Sequence, residues 1–214
     1  MNNYADLRAW MVDTQIVRRG IRDAKVIEAF RKVPRHLFVS EADRSAAYGD
    51  YPVRIDCGQT ISQPYIVALM TQLLNLTGIE RVLEIGTGSG YSTAILAEIG
   101  CKVFSVERFE DLHVTARKHL AAAGYSACSL LHSDGTLGWP EHAPFDRIVV
   151  TAGAPAVPEA LLKQLSDVGI LVAPVGDMRE QTLVVVTRKG DSFEERMEIP
   201  CIFVPLIGAN GWPE

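Results

Sequence analysis

The run Glu84-Ile85-Gly86-Thr87-Gly88-Ser89-Gly90 sets three glycines at alternate positions, directly after an apolar segment and at the head of a helical one. Glycines at such a turn let the chain change direction sharply and let backbone approach a ligand closely. The N–H groups that open the following helix favour a carboxylate or phosphate. In an open α/β sheet, ligands bind beyond the carboxyl ends of the strands, where this loop falls. Two carboxylates stand at the same level on the next two strands. Glu107 ends the run KVFSVE, about 20 residues after the loop, where an acidic side chain can accept both ribose hydroxyls of a nucleoside. Asp134, in Ser133-Asp134-Gly135, follows the third strand and is placed to accept from an adenine amino group. Taken singly, the loop reads as a tight turn, Glu107 as a solvated strand end and Asp134 as an Asx-turn before Gly135. Together, at three successive strand ends, they point to an adenosine-containing ligand.

The spacing narrows the choice. The loop reads G-x-G-x-G and position 91 is Tyr, so the dinucleotide pattern G-x-G-x-x-G lacks its third glycine. That glycine allows close helix–strand packing above a pyrophosphate. Its absence disfavours NAD and suits a smaller ligand whose anionic end is one carboxylate, as in S-adenosylmethionine. No GxxxxGK[ST] run occurs, which excludes a P-loop for ATP.

These residues need a scaffold, and the apolar pattern supplies one. Short apolar runs alternate with helical stretches: RVLEI (81–85), a helix over 91–99, KVFSVE (102–107), a helix over about 110–123, ACSLLH (127–132) and FDRIVVTA (145–152). A helix over 158–166, GILVAPV (169–175), TLVVVTRK (182–189) and a last strand IPCIFVPLI (199–207) complete the series. Strands alternating with helices in this way predict βαβ units and a mainly parallel sheet. The last two strands have no helix between them, and Gly190-Asp191 marks the connection, so one antiparallel pair is expected at the sheet edge. Upstream, helical spacing covers 4–19, and Val26, Ile27 and Phe30 mark a second helix ending before Pro34. Residues 34 to about 63 lose periodicity, as functional segments often do. A helix from Tyr65 to about Leu74 follows, with Pro64 in its first turn. The expected fold is a doubly wound, Rossmann-like α/β sheet with an N-terminal helical extension. It forms a single domain over 1–214, with 1–78 as the helical, substrate-side part and 79–214 as the cofactor-binding core.

Composition excludes several other classes. With 214 residues, 48% of them hydrophobic and 22% charged, the chain is ordinary globular material. A formal charge of −5 gives no reason to expect nucleic acid or an anionic membrane as partner. MNNYADLRAW lacks the apolar core of a secretory signal, and the longest uncharged stretch, 58–79, is broken by Gln, Ser, Pro and Asn. Cys57, Cys101, Cys128 and Cys201 are scattered and read as small buried hydrophobes in a reducing cytoplasm. The five histidines show no ligand spacing, so no metal is expected.

VLEIGTGSGY (82–91) resembles the first motif of class I S-adenosylmethionine-dependent methyltransferases. More narrowly, MVDTQIVRRGIRD (11–23), VPRHLFV (33–39), AYGDYP (47–52), GQTISQPYIVALMT (58–71), SDGTLGWPEHAPFDRIVVTAGAP (133–155), LVAPVGD (171–177) and FVPL (203–206) resemble the protein-L-isoaspartate O-methyltransferases, in that family's order. The resemblance implies methyl transfer from S-adenosylmethionine to the α-carboxylate of L-isoaspartyl residues in damaged proteins and peptides, leaving S-adenosylhomocysteine. The ester then closes to a succinimide that can reopen to aspartate. It further implies that the active-site serine is Ser62; Ser62 would then bind the substrate carboxylate with Thr60 assisting, and a monomeric enzyme in the cytoplasm is expected. The cofactor would meet Ile61, Ser62 and Gln63, the loop residues Gly86, Thr87, Gly88 and Gly90, and Glu107, Asp134 and Gly135.

Other readings of these residues stand beside that one. Read alone, Ser62 is a helix cap ahead of Pro64, and no G-x-S-x-G elbow surrounds it. His36 reads as structural, beside Phe38. Trp139 either walls an adenine pocket or ends a turn. Arg18, Arg19, Arg22 and Arg35 read as a solvated basic face. The family carries glycine two residues before GQTIS where this chain has Asp56; pointing into the cleft, Asp56 would repel an anionic substrate. A methyltransferase acting on another carboxylate, a dehydrogenase, and a cofactor-binding protein without turnover are the competing functions.

Overall fold

Asn3 accepts from the Ala5 amide and starts α1 (Tyr4–Met11). The helix runs on through a π-turn at Val12–Ile16 and a 3-10 turn at Val17–Arg19, and stops at Gly20. The expected helix over 4–19 is therefore continuous but changes its winding. Asp23 caps α2 (Ala24–Lys32) through the Lys25 and Val26 amides. The computed structural model describes residues 3 to 213, so Met1, Asn2 and Glu214 of the expected 1–214 unit lie outside the described residues.

The aperiodic stretch 34–63 is not structureless. It holds 3-10 turns at Arg35–Phe38, Glu41–Asp43 and Asp56–Gly58. A two-stranded antiparallel ribbon of β1 (Val53–Arg54) and β2 (Thr60–Ile61) also lies there. These elements are too short to leave a periodic trace. They lead into α3 (Pro64–Leu73).

The main sheet has seven strands: β3 (Arg81–Ile85), β4 (Lys102–Glu107), β5 (Ser129–His132), β6 (Phe145–Val150), β7 (Leu165–Gly176), β8 (Gln181–Lys189) and β9 (Ser192–Cys201), in the order β5-β4-β3-β6-β7-β8-β9. Strands β3 to β7 pair in parallel. Helices α4 (Tyr91–Ile99) and α5 (Glu110–Ala122) follow β3 and β4. Alternate residues of the strands face opposite layers. Val82, Val103, Val149 and Val172 pack with Met70 of α3, Leu74 just past its end and Leu96 of α4. Leu83, Phe104, Ile148 and Leu171 pack on the other face with Leu161. A third cluster joins the N-terminal helices to Tyr91, Ala94, Ile95 and Leu120 of α4 and α5. Each fully buried aliphatic or aromatic side chain contributes roughly 1.5–3 kcal/mol, so all three layers hold the sheet in place.

Three expectations are corrected at the sheet's far edge. The helix over 158–166 shrinks to α6 (Glu159–Leu162), because Leu165 already pairs with Phe145 and starts β7 four residues early. The antiparallel part comprises two pairs, β7–β8 and β8–β9. The last strand ends at Cys201 and not at 207. Residues 202–207 leave the sheet and return across its end, with Pro205 bridging Gly153. Only 199–201 of β9 fall within the expected last strand; its residues 192–197 are all exposed at the sheet edge, and their charges hide any apolar alternation.

Candidate active site

Strand β3 ends in the glycine loop. Gly86 has φ +94, and a Cβ there would lie 2.3 Å from Thr151 Oγ1. That hydroxyl donates to the carbonyls of Ile85 and Gly86 at 3.0 and 2.8 Å, so any other residue would break the turn and this clamp together. The Gly86 amide donates to Val106 O at 2.8 Å, tying the loop to β4. Glu107, buried at the end of β4, completes the join: Oε2 accepts the Gly88 amide at 2.8 Å and Oε1 the Phe109 amide at 3.0 Å. Each carboxylate oxygen keeps a second acceptor direction for a ligand hydroxyl.

Gly86, Thr87, Gly88, Glu107 and Gly135 line one cleft, together with Thr60, Ile61 and Ser62 of the ribbon segment. Its empty volume is about 1210 Å³ with its open mouth included, room for a nucleoside-sized ligand and a substrate side chain. Val106, Phe109 and Leu206 give it apolar walls. Glycines without side chains, a carboxylate with spare acceptor capacity and apolar faces for a base fit an adenosine-containing ligand. Among the described residues, no group of three or more His, Cys, Asp or Glu is placed to hold a metal ion.

Three residues expected to touch the cofactor lie outside this lining. Gly90 heads α4 with φ +90, and a Cβ there would meet Leu120 Cγ at 3.1 Å, so it serves the packing of α4 on α5. Gln63 turns its side chain away, donating to Asp50 O and Oδ1 at 3.1 and 2.8 Å. Asp134 accepts from the Thr136 amide and hydroxyl at 2.8 and 2.7 Å through Oδ1, and from the Ala209 amide at 2.8 Å through Oδ2. Burial alone would raise its carboxyl, but these donors outweigh burial and hold it below the ordinary range. Asp134 thus makes the Asx-turn and pins the returning segment.

Ser62 is half-buried, and its Oγ has no hydrogen-bond partner among the described residues, so it caps nothing. Its carbonyl accepts from Arg35 Nη2 at 2.7 Å. Arg35 is fully buried and leaves the expected basic face, while Arg18, Arg19 and Arg22 stay exposed. Asp56 is exposed and outside the cleft lining, so it does not face a substrate there. Cys57 beside it is exposed and takes φ +56, unlike the buried hydrophobe expected. Trp139 also stays out of the cleft and packs edge-on against Phe104 at 5.8 Å. His36 stacks on Tyr4 at 4.0 Å and shares a 2.8 Å hydrogen bond with the Tyr48 hydroxyl, a structural placement.

The sequence reading missed Thr151 and the stretch 203–207, both in the lining. The strand-end rule, applied to β6 as to its neighbours, would have found Thr151. Pro205 within the supposed last strand was the sign that 203–207 leaves the ladder.

Comparison with known proteins agrees with this geometry. The profile of the family described as Protein-L-isoaspartate(D-aspartate) O-methyltransferase matches residues 8–211. The chain is 54% identical to the protein-L-isoaspartate O-methyltransferase of Trichlorobacter lovleyi, over 99% of this chain and 98% of that one. It is 52% identical to protein-L-isoaspartate O-methyltransferase 1 of Syntrophobacter fumaroxidans, over 99% of both. The crystal structure of a protein-L-isoaspartate O-methyltransferase from Plasmodium falciparum, in complex with S-adenosyl-L-homocysteine, superposes with TM-score 0.82 at 27% identity, over 97% of this chain and 99% of that one. A further structure of that name superposes with TM-score 0.83 at 28% identity, over 97% of this chain and 66% of that one. The chain belongs to the protein-L-isoaspartate(D-aspartate) O-methyltransferase family.

Proposed function

We propose that this chain transfers a methyl group from S-adenosylmethionine to the α-carboxylate of L-isoaspartyl residues in damaged proteins and peptides, so that the ester can close to a succinimide. One observation carries the reading: the Glu107 carboxylate, with spare acceptor capacity, and the unpartnered Ser62 hydroxyl line the same cleft. When bound, S-adenosylmethionine supplies an already activated sulfonium methyl and leaves as S-adenosylhomocysteine. A carboxylate is a nucleophile at pH 7, so the chain needs no strong base.

Glu107 accepts the ribose hydroxyls, and Gly86, Thr87, Gly88 and Gly135 let backbone lie against the ligand. Ser62 donates to one oxygen of the substrate carboxylate, with Thr60 beside it, and leaves the other oxygen free to attack the methyl carbon. With no hydrogen-bond partner for its Oγ among the described residues, and so no base beside it, Ser62 orients and does not itself attack. Holding two reactants in line can supply about 7–11 kcal/mol of a barrier in well-oriented systems, so orientation suffices as the main device. The same reading takes the chain as a monomer in the cytoplasm, without a nucleic-acid partner. The net charge of −5 argues against a nucleic-acid partner and the four unpaired cysteines suit a reducing compartment; no helix among the described residues is long and apolar enough to cross a membrane.

The test is a transfer assay with labelled S-adenosylmethionine and two peptides of one sequence, containing either L-isoaspartate or L-aspartate. Label on the isoaspartyl peptide alone is the expected result. Label on neither peptide, with S-adenosylhomocysteine still bound, would overturn the substrate.

A further inference from the structure

Arg35 is the largest fully buried side chain among the described residues. Burying a guanidinium is costly unless its donors are satisfied, and no carboxylate among the described residues pairs with it. It meets main-chain carbonyls through Nε and Nη2, while the buried Nη1 has no hydrogen-bond partner among the described residues. Nε donates to Ala47 O and Nη2 to Ser62 O, each at 2.7 Å, and the guanidinium carbon lies 4.8 Å from the centroid of the Tyr91 ring. Tyr91 lines the cleft one residue beyond the glycine loop. Its ring is braced by Phe30 and Phe38, edge-on at 5.9 and 5.6 Å. The guanidinium thus ties three parts of the chain together: the loop at residue 47, the ribbon segment at residue 62 and the start of α4.

Beside Ser62, the Gln63 side chain holds Asp50, which in turn meets Arg19 at 3.3 Å. That second tie is half-exposed and weak. The carbonyl of Ser62 is the point where the segment meets a rigid, buried partner.

We infer that Arg35 is a positioning residue, which fixes the main chain at Ser62 and so holds the Ser62 hydroxyl in register with the cleft. This rests on the proposed role of Ser62. A lysine keeps the charge, but one ammonium cannot reproduce the planar fork that reaches two carbonyls. In Arg35→Lys the segment should loosen while the cofactor's side of the cleft stays intact.

The experiment uses the full chain and two readouts. Hydrogen exchange needs no substrate: amides of residues 60–63 should exchange about tenfold faster or more in Arg35→Lys, with the sheet unchanged, since local opening is governed by local contacts. In steady-state kinetics on the isoaspartyl peptide, Arg35→Lys should lower kcat roughly 10- to 100-fold, as misplacement of reacting groups does, and leave the Kd of S-adenosylhomocysteine within about threefold. The double variant Arg35→Lys, Ser62→Ala should then be no slower than Ser62→Ala alone, because Arg35 acts through Ser62. Additive losses, or unchanged exchange at 60–63, would overturn the assignment. So would failure of both Arg35→Lys and Arg35→Gln to fold, which would make the guanidinium a requirement of the core. If the wild type leaves the isoaspartyl peptide unmethylated, the substrate reading fails, and the exchange result still decides for or against the tether.

Discussion

A carboxylate that holds backbone and faces a ligand does two jobs at once, and Glu107 is that kind of residue. Its oxygens brace the Gly88 and Phe109 amides while it lines the cleft. Hydrogen bonds to a charged acceptor contribute roughly 1.5–3 kcal/mol. Glu107→Ala should therefore weaken S-adenosylhomocysteine binding about tenfold or more, as measured by calorimetry, and unchanged affinity would remove the ribose assignment. Ser62 is the opposite case, since its hydroxyl braces nothing. Ser62→Ala should keep stability within about 0.5 kcal/mol of wild type in urea unfolding and lower kcat far more than cofactor affinity. Glu107 was legible in the sequence because it ends a strand whose apolar pattern is plain. Arg35 was not. Whether an arginine lies in solvent or clamps two carbonyls depends on chain segments far from it in sequence, and no local pattern records that. Asp134 and its Asx-turn were legible at the strand end, but its second partner, the distant Ala209, is set by the fold alone.

Elements are stabilised at their ends as well as along their faces, and the entry to β3 shows how. Glu80 accepts from the Thr77 hydroxyl and amide at 2.6 and 2.7 Å and from the Gly78 and Ile79 amides at 2.9 and 3.1 Å. Burial alone would raise this carboxyl, but the donors outweigh it and hold the group at about 2, below its ordinary 4.5. A carboxyl lowered on folding stabilises fully above its unfolded value and loses that contribution as pH falls through the folded one. Glu80→Gln should thus cost about 2 kcal/mol at pH 7. The gap to wild type should narrow below pH 4.5 and close near pH 2. Urea midpoints at pH 7 and pH 3 would show it, and a gap independent of pH would refute it. The inner parallel strands β3, β4 and β6 could be read from the sequence because both their faces are covered and their apolar runs are nearly continuous. The start of β7 and residues 192–198 of β9 could not. Leu165 is drawn into β7 by pairing with Phe145, and most of β9 is exposed at the sheet edge, with charges in place of an apolar pattern.

At the scale of the whole molecule, the N-terminal helices do not form a core of their own. Met11, Val12, Ile16 and Phe30 share a cluster with Tyr91, Ala94, Ile95 and Leu120 of the α/β part. We therefore expect residues 1–78 and 79–214 to unfold as one unit. In a Trp139→Phe, Trp212→Phe background, Trp10 fluorescence and far-UV circular dichroism should give the same urea midpoint. Separate midpoints would divide the chain in two. S-adenosylhomocysteine at 100 times its Kd should stabilise that unit by about 2.7 kcal/mol and raise the thermal midpoint by roughly 5–10 °C. The cleft gathers its lining from residue 59 to residue 207, and this bears on the order in which competence is acquired. During synthesis the glycine loop and Glu107 emerge early, yet Phe203–Ile207, which wall the same space, emerge almost a hundred residues after Glu107. A ribosome-bound nascent chain cannot assemble the complete cleft until that late segment has cleared the exit tunnel, so tight capture of the methyl donor comes after nearly all of the sheet has been made.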